Sequence, residues 1–96
     1  MKSLQRRERR NKLEIYFDIL NSIVEEGERT EIVRPTRIQF LSNLSYDSLT
    51  RYLNELKEKK LIRNSSDIIL TEKGELFLED YEKIRRFTEQ MGLDYL

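Results

Sequence analysis

Apolar residues recur with a helical period along the first third of the chain. Between about Arg9 and Glu26, Leu13, Tyr16, Phe17, Leu20, Ile23 and Val24 fall on one stripe, with Glu14, Asp18, Asn21 and Glu25 opposite. This predicts an amphipathic helix that Gly27 ends as a C-terminal cap. Ile32 and Val33 predict a short strand or an extended link. Pro35 disfavours helix in the residue before it and suits a first helical turn, so a second helix is expected from about Pro35 to Ser42, with Ile38 and Leu41 inward. Asn43 tolerates a left-handed turn. Ser45 is a good N-cap, and Asp47 sits in the first turn, where the helix dipole favours an anion. The third helix then runs from about Tyr46 to Lys59 and buries Leu49, Tyr52, Leu53 and Leu56.

After Lys60 the period changes. Leu61-Ile62-Arg63 and Ile68-Ile69-Leu70 are β-prone runs separated by the polar turn Asn64-Ser65-Ser66-Asp67, which reads as a hairpin. Thr71 is the next N-cap, with Glu72 and Glu75 in the first turn. A last helix is expected from about Glu72 to Met91, ended by Gly92, with Gly74 letting it pass close to the hairpin or the first helix. The fold class is mostly α with a small β-hairpin. Two short helices joined by a tight turn and followed directly by a hairpin match a winged helix-turn-helix, here with a long C-terminal dimerisation helix. The expected organisation is a flexible basic arm (1–8), a winged-helix DNA-binding domain (9–75) and a C-terminal helix for dimerisation (76–96).

Composition narrows the chemistry. The chain has 96 residues, enough for one compact domain. It contains no Cys and no His, which removes thiolate sites, disulfides, the usual neutral-pH acid/base and the commonest metal ligand. No enzyme, cofactor or metal is therefore expected, and Glu25, Glu26 and Glu28 read as structural. No apolar run reaches membrane-spanning length and no secretory signal is expected, which points to the cytoplasm. Net charge is zero but unevenly spread: residues 1–12 carry six basic groups and one acidic, and residues 34–63 carry seven basic and three acidic. Local potential, which governs binding, is positive in both blocks.

The third helix carries the candidate chemistry, because a helix is thin enough to lie in the major groove of double-stranded DNA while its neighbour braces it. Opposite its buried leucines lie Asp47, Arg51, Asn54 and Glu58, with Ser48 and Thr50 at the margins. Arg51 can donate twice to guanine and Asn54 can pair with adenine. Ser48 and Thr50 suit bases or phosphate, and Tyr46 suits a sugar or phosphate beside Ser45. Thr36 and Arg37 at the second helix N-terminus and Arg63 in the wing are phosphate candidates. Arg6, Arg7, Arg9, Arg10 and Lys12 form a basic arm that suits a neighbouring groove or bulk solvent. Lys59 and Lys60 read as compensation of a helix C-terminus. Asp47, Glu55 and Glu58 would repel phosphate, which keeps a protein–protein interaction module without DNA binding as the alternative.

In the last helix, Phe77, Tyr81, Ile84, Thr88 and Met91 form a continuous seam with Leu76 and Phe87 on its shoulder. A helix of this length outruns so small a domain. The seam is expected to meet its copy in a homodimer, with Leu93, Tyr95 and Leu96 helping to cover it; the other arrangement is a helix folded back on the first helix of its own chain.

The stretch from Leu41 to Leu56 (LSNLSYDSLTRYLNEL), followed by Lys59-Lys-Leu-Ile62 and Leu70-Thr-Glu-Lys-Gly74, resembles archaeal winged-helix predicted transcriptional regulators. It is similar to the group that includes the small crenarchaeal chromatin-associated proteins of about ten kilodaltons. The resemblance covers roughly residues 13–91. It implies DNA binding through the helix starting near Ser45 and a homodimer through residues 76–91, packed as an antiparallel coiled coil. The short wing, which has no Gly and only Arg63 as a nearby cation, and the acidic C-terminal half depart from that pattern.

Overall fold

The computed structural model describes residues 10–64 and 67–93. The expected arm (1–8), the middle of the hairpin turn (Ser65, Ser66) and the tail residues Tyr95 and Leu96 lie outside the described residues, as do Arg6, Arg7 and Arg9. The described elements, in chain order, are α1 (Lys12–Gly27), α2 (Pro35–Ser42), α3 (Tyr46–Glu58), β1 (Ile62–Asn64), β2 (Ile68–Leu70) and α4 (Glu72–Gln90). The strands pair antiparallel with Ile62 opposite Leu70, Arg63 opposite Ile69 and Asn64 opposite Ile68. This is the mostly helical fold with one hairpin that the pattern predicts.

Helix α1 starts at Lys12 because Asn11 forms a full capping box. Its side chain accepts from the Glu14 amide at 2.8 Å, and the Glu14 carboxylate accepts from the Asn11 amide at 3.0 Å. The buried face differs from the expected stripe. Leu13 and Val24 are exposed, while Ile15 and Ile19 are buried beside Tyr16, Phe17, Leu20 and Ile23. The reason is that α1 packs against α2, α4 and β2 at once, so its covered arc is wider than one stripe. Gly27 is the last helical residue, not a left-handed cap; Glu28 caps the helix in a right-handed conformation.

The link before α2 is extended, not a strand, but Val33 is buried and its carbonyl accepts from the Ile68 amide at 3.3 Å. Pro35 stands in the first turn of α2, and Asn43 ends it at φ 61°. Ser45 caps α3, its hydroxyl accepting from the Ser48 amide at 3.1 Å. Leu49, Leu53 and Leu56 are buried and Tyr52 is half-buried. The three leucines belong to one core with Ile19, Leu20, Ile38 and Ile62, and Tyr52 packs against it.

Helix α3 ends in a left-handed turn that local sequence did not announce. Lys60 takes φ 66°, its amide donates to Lys57 at 3.0 Å, and Leu61 donates back to Leu56 at 2.9 Å. Thr71 then joins hairpin and helix: its hydroxyl donates to the Lys60 carbonyl at 2.7 Å and accepts from the Gly74 amide at 3.1 Å. Gly74 lets α4 pass close to the hairpin root, because a Cβ there would lie 2.3 Å from the Leu61 carbonyl oxygen. At the far end Gly92, at φ 74°, terminates α4, with Leu93 donating to Thr88 at 2.7 Å and Gly92 to Glu89 at 3.1 Å.

Candidate nucleic-acid interface

The outward face of α3 is open. Asp47, Thr50, Arg51, Asn54 and Glu58 are exposed, Tyr46 is exposed at the helix start, and Ser48 is half-buried. Ser45 spends its hydroxyl on the cap, so its contribution is to fix the helix start. The Arg51 guanidinium rests 4.8 Å from the centroid of the Tyr52 ring. Such a contact is worth about 0.5–1 kcal/mol at an exposed site. That is weak enough to leave the guanidinium available to an incoming partner.

Behind this face the helix is pinned. Tyr16 of α1 is buried and its hydroxyl donates to Glu55 Oε1 at 2.6 Å; Lys12 Nζ lies 3.4 Å from the same oxygen. The bond from Tyr16 holds the Glu55 carboxyl below its ordinary range, with Lys12 and Arg51 adding to the effect against partial burial. Burial and the adjacent Glu55 push the Tyr16 phenol up, so it stays a neutral donor. Glu55 is therefore a brace for α3 and not a free charge facing phosphate. Asp47 and Glu58 remain as exposed carboxylates on the face.

The other predicted contacts are distributed unevenly. Thr36 is exposed at the start of α2, which has no side-chain N-cap, and Arg63 is exposed on β1 beside Ile69. Arg37 is partly committed: its Nε lies 3.4 Å from Oε1 of the buried Glu26, and its guanidinium sits 5.4 Å from the Phe40 ring centroid. Its first role is to neutralise a buried carboxylate. Arg10 and Lys12, expected in a free arm, are held on the body, Arg10 by Asp18 at 2.5 Å and by the Asn43 carbonyl at 3.5 Å. The sequence pattern places Tyr16 only in the apolar stripe and Glu55 only among charges that repel phosphate; their bond, and the exposed Phe40, are new. Phe40 is 70% exposed on α2; its place opposite Ile38 on the helical wheel is the signal that was available. Tyr16 and Glu55 lie 39 residues apart and carry no local signal.

An exposed helix, a shorter helix bracing it across a tight left-handed turn, and a hairpin directly after it make up one arrangement. A family described as winged helix-turn-helix matches the chain over residues 9–89. The chain belongs to that family. In this winged helix-turn-helix protein α2 and α3 are the two helices joined by the tight turn, and β1–β2 is the hairpin that follows them. No curated protein matches the sequence. Among the described residues, no helix is long and apolar enough to cross a membrane, and no group of three or more His, Cys, Asp or Glu could hold a metal ion.

The last helix divides its expected seam. Phe77 and Tyr81 are used within the chain: Tyr81 lies 4.9 Å from Phe17 and stacks on Phe77 at 5.9 Å, and Phe77 meets Tyr16 at 6.4 Å. Thr88 is half-buried and donates to the Arg85 carbonyl. Ile84 and Met91 of the seam stay exposed together with Leu76 and Phe87 of the shoulder, Phe87 at 56% and Met91 at 58%. So α4 does fold partly against α1, and its apolar residues split between two faces.

Proposed function

We propose that this chain binds duplex DNA as a homodimeric transcriptional regulator or nucleoid-type protein, with α3 in the major groove. The observation that carries the reading is the exposed Arg51–Asn54 face on a helix fixed from behind by the Tyr16–Glu55 bond and the Leu49, Leu53 and Leu56 contacts. Thr50 and Tyr46 flank that face, Thr36 and Arg63 supply phosphate contacts, and the resemblance of residues 13–91 to archaeal chromatin-associated proteins is consistent with it. Self-association fits the uncovered stripe Leu76, Ile84, Phe87 and Met91, which occupies one side of a helix about 28 Å long. In the test, wild type and Arg51→Ala are titrated against random and genomic duplexes in gel shifts at several salt concentrations. Wild-type affinity falls with salt because releasing counterions from the duplex gains less free energy as their bulk concentration rises. Arg51→Ala loses about 1–3 kcal/mol on preferred sequences and less on others. Equal binding by both proteins to every duplex would remove α3 from the groove.

A second reading is supported by one observation: Phe40 on α2 is 70% exposed, a large aromatic face that phosphate contacts do not use. An exposed aromatic ring, on a molecule whose α3 also carries the exposed carboxylates Asp47 and Glu58, suits a protein partner better than phosphate. Absence of any retarded duplex at low salt would favour this interaction module.

A further inference from the structure

The feature left unused by DNA binding is a cleft between α1 and α4. It has a volume of about 320 Å³, at the small end of ligand pockets, which confines an occupant to metabolite size. Glu14, Phe17 and Asp18 form one wall, and Tyr81, Arg85, Thr88, Glu89 and Leu93 the other. Tyr81 and Arg85 on this lining lack the partners that covered groups of their kind normally have, and the exposed Glu89 carboxylate stands beside them. Tyr81 is 95% buried on the basis of its 5% exposure, and its hydroxyl has no hydrogen-bond partner. Arg85 is half-buried and lies 5.0 Å from the centroid of the Phe17 ring, with no ion pair among the described residues. Glu89 likewise has no ion pair among the described residues, whereas Asp18 is occupied by Arg10 and one oxygen of Glu14 serves the α1 cap.

The Tyr81 hydroxyl lies in the field of these same groups. Burial and the carboxylates of Glu14 and Asp18 push its phenol up while Arg85 opposes them. An orphaned phenol, a half-buried guanidinium with no ion pair among the described residues, and carboxylate oxygens from both walls (Glu14 and Glu89) offer sites for both signs of charge. A simple cation would meet Arg85, and a simple anion would meet Glu14 and Glu89. We propose that this cleft binds a small zwitterion of the α-amino acid class, its carboxylate on Arg85 and the Tyr81 hydroxyl and its ammonium on Glu14 and Glu89. The Phe17 ring forms the apolar floor. The site is separate from the α3 face and does not depend on DNA binding.

The test uses the full chain, isotopically labelled, and follows amide chemical shifts while each proteinogenic L-amino acid is added separately up to about 10 mM. The expected result is saturable shifts in residues 14–18 and 81–89 for at least one amino acid, with a dissociation constant of about 1 mM or below. The N-acetyl and methyl ester forms of that amino acid bind at least about tenfold more weakly. Tyr81→Phe, which removes an unpaired hydroxyl and so keeps or raises thermal stability, weakens binding about tenfold, and Arg85→Gln does the same. The proposal is overturned if no amino acid shifts these residues, if either neutralised derivative binds as well as its parent, or if Tyr81→Phe binds like wild type. Should Arg85→Gln prove unfolded, the Tyr81 variant decides alone.

Discussion

Replacing Tyr16 with Phe removes one oxygen and leaves the ring in place. That oxygen donates at 2.6 Å to a carboxylate held ionised at neutral pH. Hydrogen bonds to charged groups contribute about 1.5–3 kcal/mol. The Glu55 side chain is 28% exposed and keeps Lys12 at 3.4 Å, so water and the ammonium recover part of the loss. The low end applies, about 1.5 kcal/mol, which for a chain of this size is about 6–12 °C in Tm. The sign with pH follows from linkage. The Glu55 carboxyl lies lower in the folded protein than in the unfolded chain, so its contribution is fully present above the unfolded value of about 4.3 and is lost as pH falls through the folded one. Urea unfolding of wild type and Tyr16→Phe at equal protein concentration, at about pH 7 and again below about pH 4, reads both quantities. The midpoints should differ near neutrality and converge in acid, with unchanged slopes. A gap that stays constant across that range would show that the Tyr16–Glu55 bond is not the source of the difference, and a gap below about 0.3 kcal/mol at neutrality would show that water replaces the phenol without cost.

Three further outcomes are expected. Gly74→Ala places a Cβ against the Leu61 backbone oxygen and Leu70, and should cost about 3 kcal/mol by forcing α4 away from the hairpin, measured as a fall in Tm. Lys60→Gly relieves a left-handed non-glycine residue and should stabilise by about 0.5 kcal/mol, after the larger unfolded-state entropy of glycine is subtracted, seen in urea midpoints. Phe87→Lys puts a charge in the uncovered stripe of α4 and should shift sedimentation toward monomer with little change in monomer fold; an unchanged dimer, or a wild type that is already monomeric, would place self-association elsewhere or dismiss it.

The parts legible in the sequence are those written by neighbouring residues. Pro35 and Asn43 mark both ends of α2 because one fixes φ and the other accepts a left-handed turn. Ser45 and Thr71 announce α3 and α4 through caps that reach only three residues ahead. The leucine stripe of α3 is legible because that helix buries one narrow side. What escaped are contacts between distant segments. Leu13 and Val24 match the helical period as well as Ile15 and Ile19 match the true core, and only packing against three elements tells them apart. Arg37 reads as a phosphate contact until the buried Glu26 is found beside it. Tyr81 reads as part of a seam because its partner, Phe17, is 64 residues away in sequence. The left-handed Lys60 carries no glycine to mark it, since tertiary ties through Thr71 hold the turn instead.

The single backbone bond between Ile68 and Val33 makes the root of the hairpin and the approach to α2 one mechanical piece. Tilting the hairpin toward a neighbouring groove must drag Pro35 and Thr36 with it. Lengthening the tip would extend its reach without that penalty, whereas a proline at Ile68, which removes the donor, would let the two swing separately.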